Sequence, residues 1–138
     1  MRVAILGVGL IGGSIGLAAR KRLEATVTGF DPDPETLRRA VETGAVDSGA
    51  NGAAAACAEA EMVFCAAPVR ALPALAREAL DACGAETVVT DVGSTKRAIV
   101  AELGEDERFI GGHPLAGAET SGVENARAEL LEGARWYL

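Results

Sequence analysis

Aromatic residues, histidine and lysine are scarce in this sequence: its 138 residues hold five Phe, Trp and Tyr together, one His and two Lys. A single histidine rules out a multi-histidine metal site, and no metal is expected. Cationic charge is also short, with 13 Lys+Arg against 20 Asp+Glu and a net charge of -7. Such a surface opposes a phosphate polyanion rather than neutralising it, which argues against nucleic acid and anionic membrane as partners. Cys57, Cys65 and Cys83 are odd in number and widely spaced, so neither a disulfide framework nor a CxxC pair is available. They read as small buried apolar residues of a protein from a reducing, cytoplasmic compartment. The one long apolar stretch, residues 3–19, is broken by Gly7, Gly9, Gly12, Gly13 and Gly16. It therefore makes a poor secretory h-region and a poor membrane span.

What is present suits one domain. Hydrophobic residues make up 49% of the chain, much of that alanine, so the core should be built of small side chains. Apolar, β-branched runs alternate with longer helical stretches throughout. This alternation predicts an α/β fold of the Rossmann type: a doubly wound, mostly parallel sheet with helices on both faces.

Strands are expected at residues 2–6, 25–30, 61–66, 87–91 and 108–110, with a short extended piece near Val46. Helices are expected at residues 10–21, 34–43, 53–60, 71–82, 95–103 and 123–131. Asp33 can cap the second helix, Pro34 suits its first position and Gly44 can end it. In the helix over 71–82, Leu72, Leu75, Ala76, Ala79 and Leu80 form a stripe that reads as core. Residues 111–122 read as an irregular loop, and 135–138 as the beginning of a further strand.

The chemistry begins at Gly7-Val8-Gly9-Leu10-Ile11-Gly12, a G-x-G-x-x-G placed directly after a strand and opening a helix. Gly7 permits the tight turn, Gly9 lets a pyrophosphate approach the backbone with Leu10 and Ile11 beside it, and Gly12 lets the helix lie close to the strand. Asp31, 19 positions beyond Gly12 at the end of the second strand, is placed to hold the ribose hydroxyls of an adenosine. A carboxylate there repels a 2'-phosphate, and Asp33 adds to the repulsion, so NAD is expected over NADP. Arg38 and Arg39 are the counter-signal, on a helix whose polar face needs charge in any case.

Ligands of open α/β sheets bind outside the carboxyl ends of the strands. Ala66, Ala67 and Pro68 are accordingly expected along the adenosine, and Asp91-Val92-Gly93-Ser94-Thr95-Lys96 near the nicotinamide. Ser94 suits the N-cap of the next helix, alone or together with an active-site contact. Lys96 fits an exposed first-turn residue and a cleft cation equally well. His113 stands in Gly111-Gly112-His113-Pro114, where Pro114 restricts it to extended backbone. An imidazole fixed beside a nicotinamide can take a proton from a substrate hydroxyl as hydride leaves the same carbon.

The segments G-V-G-L-I-G-G-S, D-V-G-S-T-K and G-G-H-P-L-A-G-A-E-T-S-G, in this order and spacing, resemble the NAD-binding domain of the prephenate/arogenate dehydrogenase family of tyrosine biosynthesis. The resemblance implies an oxidative decarboxylation, in which a ring C4 hydroxyl loses its proton, C4 gives hydride to NAD+, and the ring carboxylate leaves as CO2. It implies that His113 deprotonates that hydroxyl, that Ser94 positions the histidine and the nicotinamide, and that Glu119 and Thr120 lie near the substrate. Members of the family carry a second, helical domain that supplies most of the dimer interface and the cations for the substrate carboxylates. Residues 1–138 thus resemble the N-terminal, cofactor-binding half of a homodimeric enzyme. Two other readings stand beside this one: a different NAD-dependent hydroxy acid dehydrogenase or imine reductase domain, and a non-catalytic nicotinamide-nucleotide-binding module.

Overall fold

The β-branched, almost uncharged run Arg2–Leu6 forms strand β1 at the centre of the molecule, where both faces of a strand must be covered. The structure, a computed structural model, describes residues 1–117 and 119–138. Around β1 lie β2 (Thr26–Phe30), β3 (Ser48–Gly49), β4 (Met62–Cys65), β5 (Val88–Asp91) and β6 (Phe109–Ile110). They make one six-stranded sheet in the order β3-β2-β1-β4-β5-β6, parallel at every pairing. The order reverses between β1 and β4, which creates a crevice at the carboxyl edge of the sheet. This is the Rossmann-type architecture that the alternating pattern predicts.

Side chains of β1 alternate between two cores, as a period of two requires. Val3 and Ile5 join the cluster under helices α1 (Leu10–Leu23) and α2 (Pro34–Glu42), which also holds Val27 and Val46. Ala4 and Leu6 join the opposite cluster with α3 (Ala53–Cys57), α4 (Leu72–Ala82) and α5 (Arg97–Leu103). Small residues set how closely these layers approach. A Cβ at Gly16 would lie 2.1 Å from the Ala45 carbonyl oxygen, and one at Gly12 only 1.9 Å from that of Gly7.

Helix α2 starts and stops as its sequence predicts. The Asp33 carboxylate accepts the Glu35 and Thr36 N–H groups, Pro34 occupies the first turn, and Gly44 follows the end at φ +73°. Helix α3 stops at Cys57 rather than at residue 60, and three further elements differ from expectation. Helix α5 begins at Arg97 and has no side-chain cap, so Ser94 is not its N-cap. Residues 123–131 form two short 3-10 turns, Val123–Asn125 and Ala128–Leu131, instead of one helix. The break falls at Arg127, held extended at φ -152° while its N–H donates to the Ser14 hydroxyl on α1. The third difference is in the loop after β6, where His113–Pro114 forms a short strand, β7, paired antiparallel with β8 (Trp136–Tyr137). This two-stranded ladder sets His113 opposite Tyr137 and stands apart from the main sheet.

Candidate functional site

The turn from β1 into α1 is shaped by its glycines. Gly7 sits at φ +94°, where a side chain would be strained and a Cβ would meet the Ala66 carbonyl oxygen at 2.6 Å. At Gly9, by contrast, a Cβ would meet nothing within 4 Å, so the space over the turn is open. No side chain caps α1, so the N–H groups of its first turn and the positive end of its dipole face that space. This is the arrangement that receives a pyrophosphate.

The Asp31 carboxylate at the end of β2 accepts the Val8 N–H at 3.0 Å and the Asp33 N–H at 3.0 Å. Each oxygen keeps a second acceptor position for a ligand hydroxyl. One cleft runs along this edge, in two compartments of about 680 Å³ and about 480 Å³ that share Gly9, Ala66, Ala67, Pro68 and Gly122. Gly7, Asp31, Thr36, Leu75 and Glu78 line the first; Leu10, Ile11, Val92, Ser94, His113 and Thr120 line the second. Gly12 lies beneath the turn and acts through packing. Arg38 is engaged by Glu35 and Glu42, and Arg39 by Glu35, so both guanidinium groups are paired along α2 and neither lines the cleft.

The fold that carries this cleft is shared with other proteins. A family model described as the nucleotide-binding domain of prephenate dehydrogenase matches residues 15–138. The chain belongs to that family. It is 37% identical to prephenate dehydrogenase of Bacillus subtilis, over 99% of this chain and 38% of that protein. Its fold superposes on A. aeolicus prephenate dehydrogenase, crystallised with hydroxyphenyl propionate and NAD+, at a TM-score of 0.89 with 33% identity, covering 99% of this chain and 49% of the other. Synechocystis arogenate dehydrogenase gives a TM-score of 0.90 at 28% identity, with 99% and 49% covered. The chain thus spans less than half the length of each of these relatives.

Within this nucleotide-binding domain, most of the residues singled out from sequence meet at the cleft. Glu119 does not: it is exposed and lines neither compartment. Ala118, beside it in the third motif, lies outside the described residues. Leu75 also differs from expectation. Leu72, Ala76, Ala79 and Leu80 are buried, but Leu75 sits at the edge of that stripe and forms part of the cleft wall. Cys83 is only partly buried, unlike Cys57 and Cys65. Burial pushes the Cys57 thiol up to about 12 and that of Cys65 higher still, which makes both poor nucleophiles.

The residue that sequence reasoning passed over is Asp91. It is 0% exposed at the end of β5, yet every buried side-chain polar atom among the described residues has a partner. Its Oδ2 accepts the Gly93 N–H at 2.8 Å and pairs with Lys96 Nζ, while Oδ1 accepts the Gly112 N–H at 3.1 Å. Lys96 is therefore bound to a buried carboxylate, neither a free first-turn residue nor a lining cation. Lys96 turns back onto Asp91, residues 92–96 lie outside the helix, and Ser94 is exposed. An acid five residues before a lysine across a strand end was the available signal.

Proposed function

We propose that residues 1–138 are the cofactor-binding half of an NAD-dependent enzyme that oxidatively decarboxylates prephenate or arogenate, a cytoplasmic step of tyrosine biosynthesis. The observation that carries the reading is the continuity of the cleft, from the Asp31 carboxylate past the glycine turn to the His113 imidazole. The residues present fit a dinucleotide: the open space over Gly9 suits a pyrophosphate, and the two compartments on either side suit its two nucleoside halves. NAD+, when bound, supplies the acceptor for a hydride from the substrate.

Asp31 accepts the adenosine ribose hydroxyls. With Asp31 and Glu78 both at that end and no cation lining it among the described residues, a 2'-phosphate would be repelled, which favours NAD over NADP. His113 accepts the proton of the ring C4 hydroxyl as C4 loses hydride; the ring carboxylate departs as CO2 and its bonding pair completes the aromatic ring. Ser94, on the same compartment wall, positions the imidazole and the nicotinamide, and Thr120 stands at the substrate mouth. Among the described residues no Arg or Lys lines either compartment, so the substrate carboxylates must be held from outside residues 1–138. A helical second domain in a homodimer fills that role in this reading. The test is turnover of prephenate and of arogenate by the full-length protein. His113→Asn should lower kcat by about 10² to 10⁴ fold, the range of general acid-base catalysis. An unchanged kcat would remove His113 from the mechanism.

A further inference from the structure

The catalytic proposal leaves one question open, namely which imidazole nitrogen of His113 is free to receive a proton. His113 Nδ1 lies 3.5 Å from the Val92 carbonyl oxygen. A carbonyl only accepts, so a hydrogen bond formed here carries the proton on Nδ1 and leaves Nε2 bare. The length suits a contact that tightens when ligands close the site.

Asp91 governs both partners of that contact. Val92 C=O and Gly93 N–H belong to one peptide group, and in a trans peptide the two point in opposite directions. No cis peptide occurs among the described residues. By accepting the Gly93 N–H, Asp91 Oδ2 therefore turns the Val92 carbonyl away from itself and toward the imidazole. Its other oxygen, Oδ1, accepts the N–H of Gly112, the residue directly before His113. Gly112 is confined as well: a Cβ there would meet Trp136 Nε1 at 2.5 Å and the Asp91 carbonyl oxygen at 2.9 Å. One carboxylate thus aims the acceptor and anchors the backbone that carries the donor. That carboxylate is fully buried, and Lys96 supplies its counter-charge.

We propose that Asp91, neutralised by Lys96, is a positioning residue that holds His113 as the Nδ1–H tautomer with Nε2 available as the base. The inference deepens the function proposed above, but its first test needs no turnover. His113 is the single histidine of residues 1–138, so ¹⁵N NMR of this chain reads one imidazole. In the neutral ring the expected spectrum is that of the Nδ1–H form, the less favoured one for an unrestrained imidazole. Asp91→Asn puts an amide donor against one of the two N–H groups that the carboxylate accepts, while Lys96, 30% exposed, can turn to solvent. Folding should survive, the Nδ1–H spectrum should give way to the Nε2–H form, and kcat should fall about 10²-fold with substrate KM and NAD+ affinity unchanged, as for a misplaced catalytic group.

Two results would overturn the proposal: an Nε2–H spectrum in the unaltered protein, which requires no variant to fold, or a folded Asp91→Asn protein that keeps the Nδ1–H form. A protein with the expected spectrum that turns over neither prephenate nor arogenate would defeat the functional reading and leave this one standing. Turnover with an Nε2–H histidine would do the reverse.

Discussion

The two ends of the cleft are shaped by opposite means. At the glycine turn the backbone is held mainly by what is missing: Gly7 and Gly12 approach Ala66 and each other closer than any side chain allows, and the carboxylate that touches the turn, Asp31 on the Val8 N–H, is only half-buried. At the His113 end the backbone is held by what is present, a fully buried carboxylate with a lysine and two N–H groups around it. The first kind of site is specified by the absence of Cβ atoms, the second by electrostatic balance. Substitutions should break them in different ways.

The largest effect is expected at the charged end. Lys96→Met strands the Asp91 carboxylate, and losing one partner of a buried pair costs about 3 kcal/mol or more, so urea unfolding should shift strongly. A change of under about 1 kcal/mol would mean that the pair behaves as an exposed one.

Next comes a contrast within the glycine turn. Gly12→Ala drives a methyl group into the Gly7 carbonyl, 1.9 Å from its oxygen, and into Ile5. It should cost about 1–3 kcal/mol, as overpacking does, and abolish NAD+ binding. Gly9→Ala meets nothing within 4 Å, so it should leave the melting temperature unmoved and still lose NAD+ affinity. Equal stability losses at both positions would contradict the division between a packing glycine and a ligand-facing one.

The smallest effect concerns the entry to α2. The Asp33 carboxyl is held below its ordinary value first by the Thr36 hydroxyl; desolvation opposes this, and the Glu35 and Thr36 N–H groups and the Arg39 charge add to the lowering. Its folded pKa is thus below the unfolded one, so the stabilisation is complete at neutral pH and is lost as pH falls below about 4. The melting temperature of Asp33→Ala should trail that of the unaltered protein at pH 7 and approach it at pH 2–3. A gap that does not narrow would assign the cap's worth to something other than its charge.

The comparison also explains what could be read from the chain. The glycine turn, Asp31 and the cap of α2 depend on neighbours within a few residues or on a fixed offset, and their spacing alone locates them. Asp33-Pro34 and Gly44 bracket α2 for the same reason. The other end depends on contacts across the fold. Asp91 meets Gly112 across 21 positions, and Arg127 meets Ser14 across 113, so neither leaves a local pattern. That is why Ser94 reads as a helix cap, alone or with an active-site contact, although α5 starts only at Arg97, and why the turns at Val123–Asn125 and Ala128–Leu131 read as one helix. Leu75 shows a milder limit: helical spacing identifies an apolar stripe but does not tell its buried centre from an edge that faces a ligand.

The central claim is that the cleft from Asp31 to His113 is a dinucleotide site selective for NAD. Calorimetric titration of the protein with NAD+ and NADP+, repeated with Asp31→Ala, tests it most directly. The account predicts saturable binding of NAD+, much weaker binding of NADP+, and a loss of about 10- to 100-fold in NAD+ affinity on removing the carboxylate, the worth of hydrogen bonds to a charged group. Preference for NADP+, or no binding to the folded protein, would contradict it.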